Sequence, residues 1–288
     1  MEKDRYIIRV FSSYCSSEEC KRVYEDICFT DKIDYYGKDK EIYITTDDDY
    51  THAIILNTAT PVLKDIPKEN VIGLAYEPPE YLYITKPFID YCKKYVGKYF
   101  IGDKYILPSP FIENFSYMWY RKRPENLPII KPKIISLIFS KKNEAPGHKY
   151  RHLLVKNILN SNLPIDIYGR GCSLYNMSDS RIKGSFDDNE PYVDYKFHIC
   201  IENVVKNDYI SEKFINCLTH SCIPIYIGGR NVEKYFPGVS IPLSGDIKRD
   251  MGLLRGICMY PNKYHRDIDY EKEEEKINII KNIKKIFG

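Results

Sequence analysis

Short apolar runs recur along this chain, each followed by a polar turn or a stretch with helical spacing. In the N-terminal half they cover residues 6–11, 41–45, 52–56 and 71–75, and in the C-terminal half 134–140, 164–169, 197–201, 223–227 and 239–243. Such runs, separated by polar or helical segments, predict the strands of a largely parallel α/β sheet. Between them, 17–27 reads as a helix capped by Ser17, with Val23 and Ile27 on one face. The aromatic-rich stretch 88–100 reads as a helix and a strand, and 107–111 as extended chain. A helix over 149–159 follows from Leu153, Leu154, Ile158 and Leu159 at helical spacing. Residues 173–190, rich in Ser, Asp and Gly, read as a loop. The stretch 269–287 reads as one long amphipathic helix with Ile277, Ile280, Ile283 and Phe287 on one face, closing over a sheet.

The pattern is interrupted once by a charged, proline-bearing segment from Arg121 to Lys133, the composition of a linker. It divides the chain into an N-terminal Rossmann-like domain at 1–128, a second at 129–268, and the closing helix at 269–288. A length of 288 residues suits two domains of ordinary size.

Composition narrows the class. The net charge of +3 comes from 43 basic against 40 acidic residues, without the basic excess that nucleic-acid binding demands. Nine cysteines are scattered without a CxxC pair, so buried free thiols fit better than a zinc site or disulfides. The first residues are too charged for the apolar core of a signal peptide, and no apolar run is long enough to span a bilayer. A soluble, cytoplasmic protein is expected.

The densest chemistry lies in 196–228. A strand ends abruptly in Glu202-Asn203, a helix opens near Ser211 with Glu212 and Lys213 in its first turn, and a second strand ends in Gly228-Gly229. Such βαβ units bind ligands where strands end and the helix begins. Unpaired N–H groups and the positive end of the helix dipole favour an anion there, and Lys213 adds a full charge. Arg151, placed in the first turn of its own helix, opposes the helix dipole unless an anion sits between them. Gly169, at the end of another strand, allows close backbone approach to a ligand, although the third glycine of a dinucleotide fingerprint is missing. In the N-terminal half, Asp47-Asp48-Asp49 reads as a solvated turn rather than a metal cluster. Glu77 follows a strand directly and precedes Pro78-Pro79. That placement suits a partly desolvated base able to take a proton from a hydroxyl, or equally a surface turn glutamate, with Glu80 ranked behind it.

The stretch 196–228 resembles the donor-binding signature of the α-1,3-fucosyltransferase family, glycosyltransferase family 10. The resemblance is carried by Glu202-Asn203, by Tyr209-Ile210-Ser211-Glu212-Lys213 six residues on, and by the Pro224-centred strand closing in Gly228. It implies a GT-B fold of two Rossmann-like domains facing across a cleft, a GDP-fucose donor, a glycan or glycoconjugate acceptor, and inversion without an essential metal. It further implies that Arg151 and Lys213 bind the donor pyrophosphate and Glu212 the ribose or sugar hydroxyls. Asn203 and Tyr209 would line the donor pocket, with Glu202 and Gly169 beside it. Glu77 would be the general base, although the family has Gly-Glu where this chain has Tyr76-Glu77. A different nucleotide sugar, or a non-catalytic relative on the same fold, would share these features.

Overall fold

The computed structural model describes residues 5–175 and 178–288, so the charged residues 1–4 and two positions of the 173–190 loop lie outside the described residues. The chain separates into two compact units. The first comprises the residues up to Lys122 together with Lys206–Tyr209 and Glu275–Gly288, and the second comprises Arg123–Val205 and Ile210–Glu274.

In the first unit the elements run β1 (Tyr6–Ser12), α1 (Ser17–Thr30), β2 (Ile42–Thr45), β3 (His52–Leu56), β4 (Val71–Leu74), α2 (Pro79–Leu82), α3 (Lys86–Tyr95), β5 (Lys98–Ile101) and β6 (Phe111–Glu113). The strands form a parallel sheet in the order β2-β1-β3-β4-β5-β6. Ala53, Ile55 and Val71 of its strands bury against Phe88 and Cys92 of α3 and against Tyr99 and Phe111. Helix α1 is capped by Ser16 rather than Ser17: the Ser16 side chain accepts from the Glu19 N–H, while the Ser17 hydroxyl donates to the Val10 carbonyl. The Asp47–Asp49 stretch is a turn, with Asp48 paired to Arg9 and the Thr45 hydroxyl bonded to the Asp47 N–H at 3.0 Å.

The second unit runs β7 (Lys133–Ile138), α4 (Pro146–Leu159), β8 (Ile165–Tyr168), β9 (Ile182–Gly184), α5 (Glu190–Val193), β10 (Tyr195–Ile201), α6 (Glu212–Thr219), β11 (Ile223–Ile227), α7 (Val232–Tyr235), β12 (Ile241–Pro242) and α8 (Ile247–Met259). Its parallel sheet has the order β12-β11-β10-β7-β8-β9. Counting strands from the first of this unit, that is the doubly wound order 3-2-1-4-5-6, whose switch point lies between β7 and β10. Leu137, Ile199 and Ile225 from three adjacent strands bury with Leu154 and Ile158 of α4 and with Leu254 and Ile257 of α8. The expected α/β class is therefore present twice.

Several elements differ from the sequence reading. Within 173–190, which reads as a loop, β9 adds an edge strand to the sheet, and Arg181 beside it satisfies the carbonyls at the end of α4. Its guanidinium donates to Ile158, Leu159, Ser161 and Leu163 at 2.7–3.2 Å. The stretch 269–287 is two helices, α9 (Tyr270–Ile277) and α10 (Ile283–Phe287). Asn278 breaks it: fully buried, it donates to Asp31 at 2.6 Å and accepts from the Lys281 N–H at 3.1 Å, turning the chain where a helix would continue.

Helix α8 is absent from the sequence reading because Gly252 and Gly256 depress helix propensity within it. Its Asp246 cap, accepting from the Arg249 N–H at 2.9 Å, and its Ile247, Met251, Leu254 spacing were the available signals. A Cβ at Gly252 would meet nothing within 4 Å. Gly252→Ala is accordingly expected to stabilise the protein by about 0.5–1 kcal/mol, seen as a higher urea midpoint. An unchanged or lowered midpoint would contradict this. Among the described residues no helix is long and apolar enough to cross a membrane, and the nine cysteines are free, with only Cys15 and Cys258 less than fully buried.

Candidate functional site

The carboxyl end of β10 borders the switch point of the second sheet, and Glu202 follows its last residue. The Glu202 side chain is buried and turned inward. Its carboxylate accepts from the Ser211 N–H at 2.8 Å and the Ser211 hydroxyl at 2.7 Å, with the Tyr226 hydroxyl at 3.5 Å. Burial pushes its pKa up, against the pull of Lys213, whose Nζ lies 3.6 Å away. Glu202 thus acts as an internal post that fixes the start of α6.

Ser211 caps that helix, its hydroxyl accepting from the Lys213 N–H at 3.3 Å. One of the N–H groups expected to be open to an anion is therefore already partnered. Lys213 Nζ sits 3.0 Å from Glu212 Oε1 and 3.1 Å from the Ser211 hydroxyl, with about 28% of its side chain exposed. Burial works to lower its pKa, but Glu212 and Glu202 outweigh burial and raise it, so the ammonium stays charged. Glu212 is half-buried, which alone would raise its pKa. The adjacent Lys213 reverses the direction and keeps it ionised.

Arg151 comes to the same place from α4. The helix begins at Pro146, earlier than its apolar spacing indicates, so Arg151 lies in the second turn rather than the first. It is buried, its guanidinium donates to the Ile201 carbonyl, and burial lowers its pKa while Glu202 and Glu212 act to raise it. The first turn of α4 is pressed onto the end of β10. The Gly147 N–H donates to the Asn203 carbonyl at 2.9 Å, and a Cβ on Gly147 would lie 1.8 Å from the Glu202 carbonyl oxygen. Next to it, His148 accepts the Ala145 N–H at Nδ1 (3.3 Å). Burial and the nearby Arg151 lower its pKa, which favours a neutral imidazole. Gly147 and His148 are the site residues that sequence reasoning missed; a glycine just inside a helix start, after Pro146, was the signal.

The structure therefore gathers Arg151, Glu202, Asn203, Glu212 and Lys213 within the second unit. Gly169 follows β8, two strands from β10 in the sheet, with φ +104°, and a Cβ there would lie 2.4 Å from the Phe139 carbonyl oxygen. Its glycine is demanded by both backbone and space. Tyr209 lies two residues before Ser211. It belongs to the Lys206–Tyr209 segment of the first unit, buried, with its Cα 2.7 Å from where a Cβ on Gly102 would sit. Glu77 lies in the first unit three residues beyond β4 and is exposed. Glu80 is ion-paired with Lys206, which also meets Asp103 at 3.6 Å and the Tyr105 hydroxyl at 2.8 Å. That carboxylate is committed to structure.

Residues 130–242 match the family described as glycosyltransferase family 10 (fucosyltransferase), C-terminal part. This stretch is similar to that family over less than half of the chain. It holds all of the gathered residues and the whole of the second sheet. The chain is 25% identical over 131 residues to a fucosyltransferase-like protein of Arabidopsis thaliana (44% of this chain, 24% of the relative). It is 28% identical over 199 residues to a protein of Acanthamoeba polyphaga mimivirus that carries a fucosyltransferase name (62% of this chain, 32% of the relative). The chain thus spans less than a third of the length of these relatives. Crystal structures of an alpha1,3-fucosyltransferase, one of them with GDP, share the fold at TM-score 0.54 and 14% identity, covering 100% of this chain and 92% of theirs.

Proposed function

We propose that this chain transfers a sugar, fucose from GDP-fucose, to a hydroxyl of a glycan acceptor with inversion at the anomeric carbon and no metal requirement. The observation that carries this reading is the convergence of Arg151 and Lys213 at the switch point of a sheet within the stretch similar to family 10. In the transfer, the acceptor oxygen forms a bond to the anomeric carbon as the bond to the β-phosphate oxygen breaks. The electron pair leaves with GDP, and the acceptor proton passes to a carboxylate, which we assign to Glu77. Charge growing on the departing pyrophosphate needs preorganised cations, and the carboxylates around Lys213 hold its ammonium in place before a ligand arrives. Glu212 is the group for donor hydroxyls, and Asn203 and Tyr209 line the donor pocket in this reading.

Calorimetric titration with GDP, followed by a panel of nucleotide sugars scored for hydrolysis and transfer in the presence of EDTA, tests it. GDP-fucose turnover insensitive to EDTA is expected. Absence of any nucleotide binding would remove the donor-site reading, and preference for another nucleotide sugar would replace fucose. Glu77→Gln is expected to lower transfer by about 10²–10⁴ while leaving GDP affinity unchanged; undiminished transfer would dismiss Glu77 as the base.

A further inference from the structure

Four aromatic rings from separate parts of the first unit converge beyond the carboxyl ends of its strands. Tyr14 follows β1 by two residues and Tyr76 follows β4 by two, and these strands flank β3 on either side. The switch point of the order β2-β1-β3-β4-β5-β6 lies between β1 and β3, the place where an open α/β sheet receives a ligand. Trp119, arriving from beyond β6, meets Tyr14 edge-on at 5.5 Å, Tyr76 at 5.6 Å and Tyr24 at 6.3 Å between ring centroids.

The cluster has a floor and an outer face. Tyr24 and Tyr76 are buried and their hydroxyls are bonded to each other. Tyr76 also donates to the Tyr117 carbonyl at 2.8 Å, and its N–H to Asn57 Oδ1 at 2.7 Å. Tyr14, by contrast, is 47% exposed and Trp119 is half-buried. Tyr14 and Trp119 thus reach solvent side by side at the ligand edge of the sheet. The Tyr14 hydroxyl keeps its proton, since burial of that end and the neighbouring Tyr24, Cys15 and Cys20 all raise its pKa. Tyr14 meets Trp119 edge-on while nearly half of its surface stays open to solvent.

We propose that Tyr14 and Trp119 form a stacking platform for a neutral hexose ring of the acceptor, an inference that rests on the transferase reading above. A pyranose presents a face of C–H groups ringed by hydroxyls. The C–H face, weakly positive, fits the negative face of an aromatic ring and buries apolar area, while the hydroxyl rim stays free for polar partners. Tyrosine and tryptophan lose little rotamer freedom on binding. Glu77 is the next residue after Tyr76 and is exposed, so a sugar stacked on this cluster lies on the same sheet edge as the proposed base.

Trp119 is the single tryptophan of the chain, so its emission reports this site alone. Lactose, cellobiose and chitobiose, titrated separately at millimolar concentration into the full chain, are the probes. A saturable change in tryptophan emission is expected with at least one of them. Tyr14→Ala should weaken that binding about fivefold, and Tyr14→Phe, which keeps the ring, should leave it unchanged. No saturable change with any of the three sugars in the native chain, or equal affinity in Tyr14→Ala, overturns the proposal. GDP titration of the same samples separates the two readings. GDP binding without a sugar response removes the platform and spares the donor site, whereas a sugar response without GDP binding removes the donor site and leaves a sugar-binding surface.

Discussion

Lys213→Ala is expected to lower turnover by about 10²–10³, the usual cost of removing one preorganised donor from a site where charge develops. The ammonium is also the ion-pair partner of buried Glu202 and of Glu212, so the urea midpoint is measured beside turnover. The start of α6 is held by Ser211 and Glu202, through the Ser211 N–H and hydroxyl, and neither bond involves the lysine side chain. The Lys213 N–H that Ser211 caps belongs to the backbone and survives the change. Arg151 is a poorer probe: its buried guanidinium also satisfies the Ile201 carbonyl, so truncation would leave a buried acceptor unpaired and confuse stability with catalysis. The pH behaviour follows from the direction of the Lys213 shift. A lysine whose folded pKa is raised by Glu212 and Glu202 contributes fully below its ordinary pKa and loses that contribution only as pH rises through the raised value. No alkaline limb from Lys213 should therefore appear near neutrality. Single-turnover measurements on native protein and Lys213→Ala, with GDP affinity measured in parallel, check this. Native turnover in the variant would take Lys213 out of the mechanism.

The strands were the most legible part of the sequence. Continuous runs of β-branched residues with polar stops admit few alternatives, and β3 and β11 lie where the pattern puts them. Helices were less so, because tertiary partners override local spacing. Helix α4 begins at Pro146 since the backbone of Gly147 bonds to Asn203, a contact between residues far apart in the chain. Asn278, itself buried, ends α9 because a partner, the half-buried Asp31, is supplied from the opposite end of the chain. In the site, charge and spacing marked Glu212 and Lys213 at a helix start, and the resemblance to family 10 joined Arg151 to them. They could not show that Glu202 faces inward, because an acidic residue after a strand gives no hint of its burial. Nor could they show that the motif is divided. Tyr209 lies two residues from Ser211 yet belongs to the first unit, since its neighbours Lys206, Asn207 and Asp208 are bonded to Glu80, Glu113 and the Gly102 carbonyl.

The same substitution that should stabilise α8 is expected to damage α4. At Gly147, alanine would gain roughly 1 kcal/mol of helix propensity over glycine, as at Gly252. The space decides otherwise. A Cβ at Gly147 would sit 1.8 Å from the Glu202 carbonyl oxygen and 2.9 Å from that of Asn203, both of them backbone atoms that no rotamer change can move aside. The first turn of α4 must therefore part from the end of β10, losing the 2.9 Å bond from the Gly147 N–H to Asn203. Overpacking of this kind costs about 1–3 kcal/mol, more than the propensity returns. The displacement is carried onward, because Arg151 lies one turn further along the same face of the helix, and a shift of about 1 Å in a positioning group can cost about 10² in rate. Gly147→Ala should thus lower the urea midpoint and weaken GDP binding together, while Gly252→Ala raises the midpoint and leaves GDP binding alone. If Gly147→Ala bound GDP with native affinity, the junction of α4 with β10 would not be what holds Arg151 in the site.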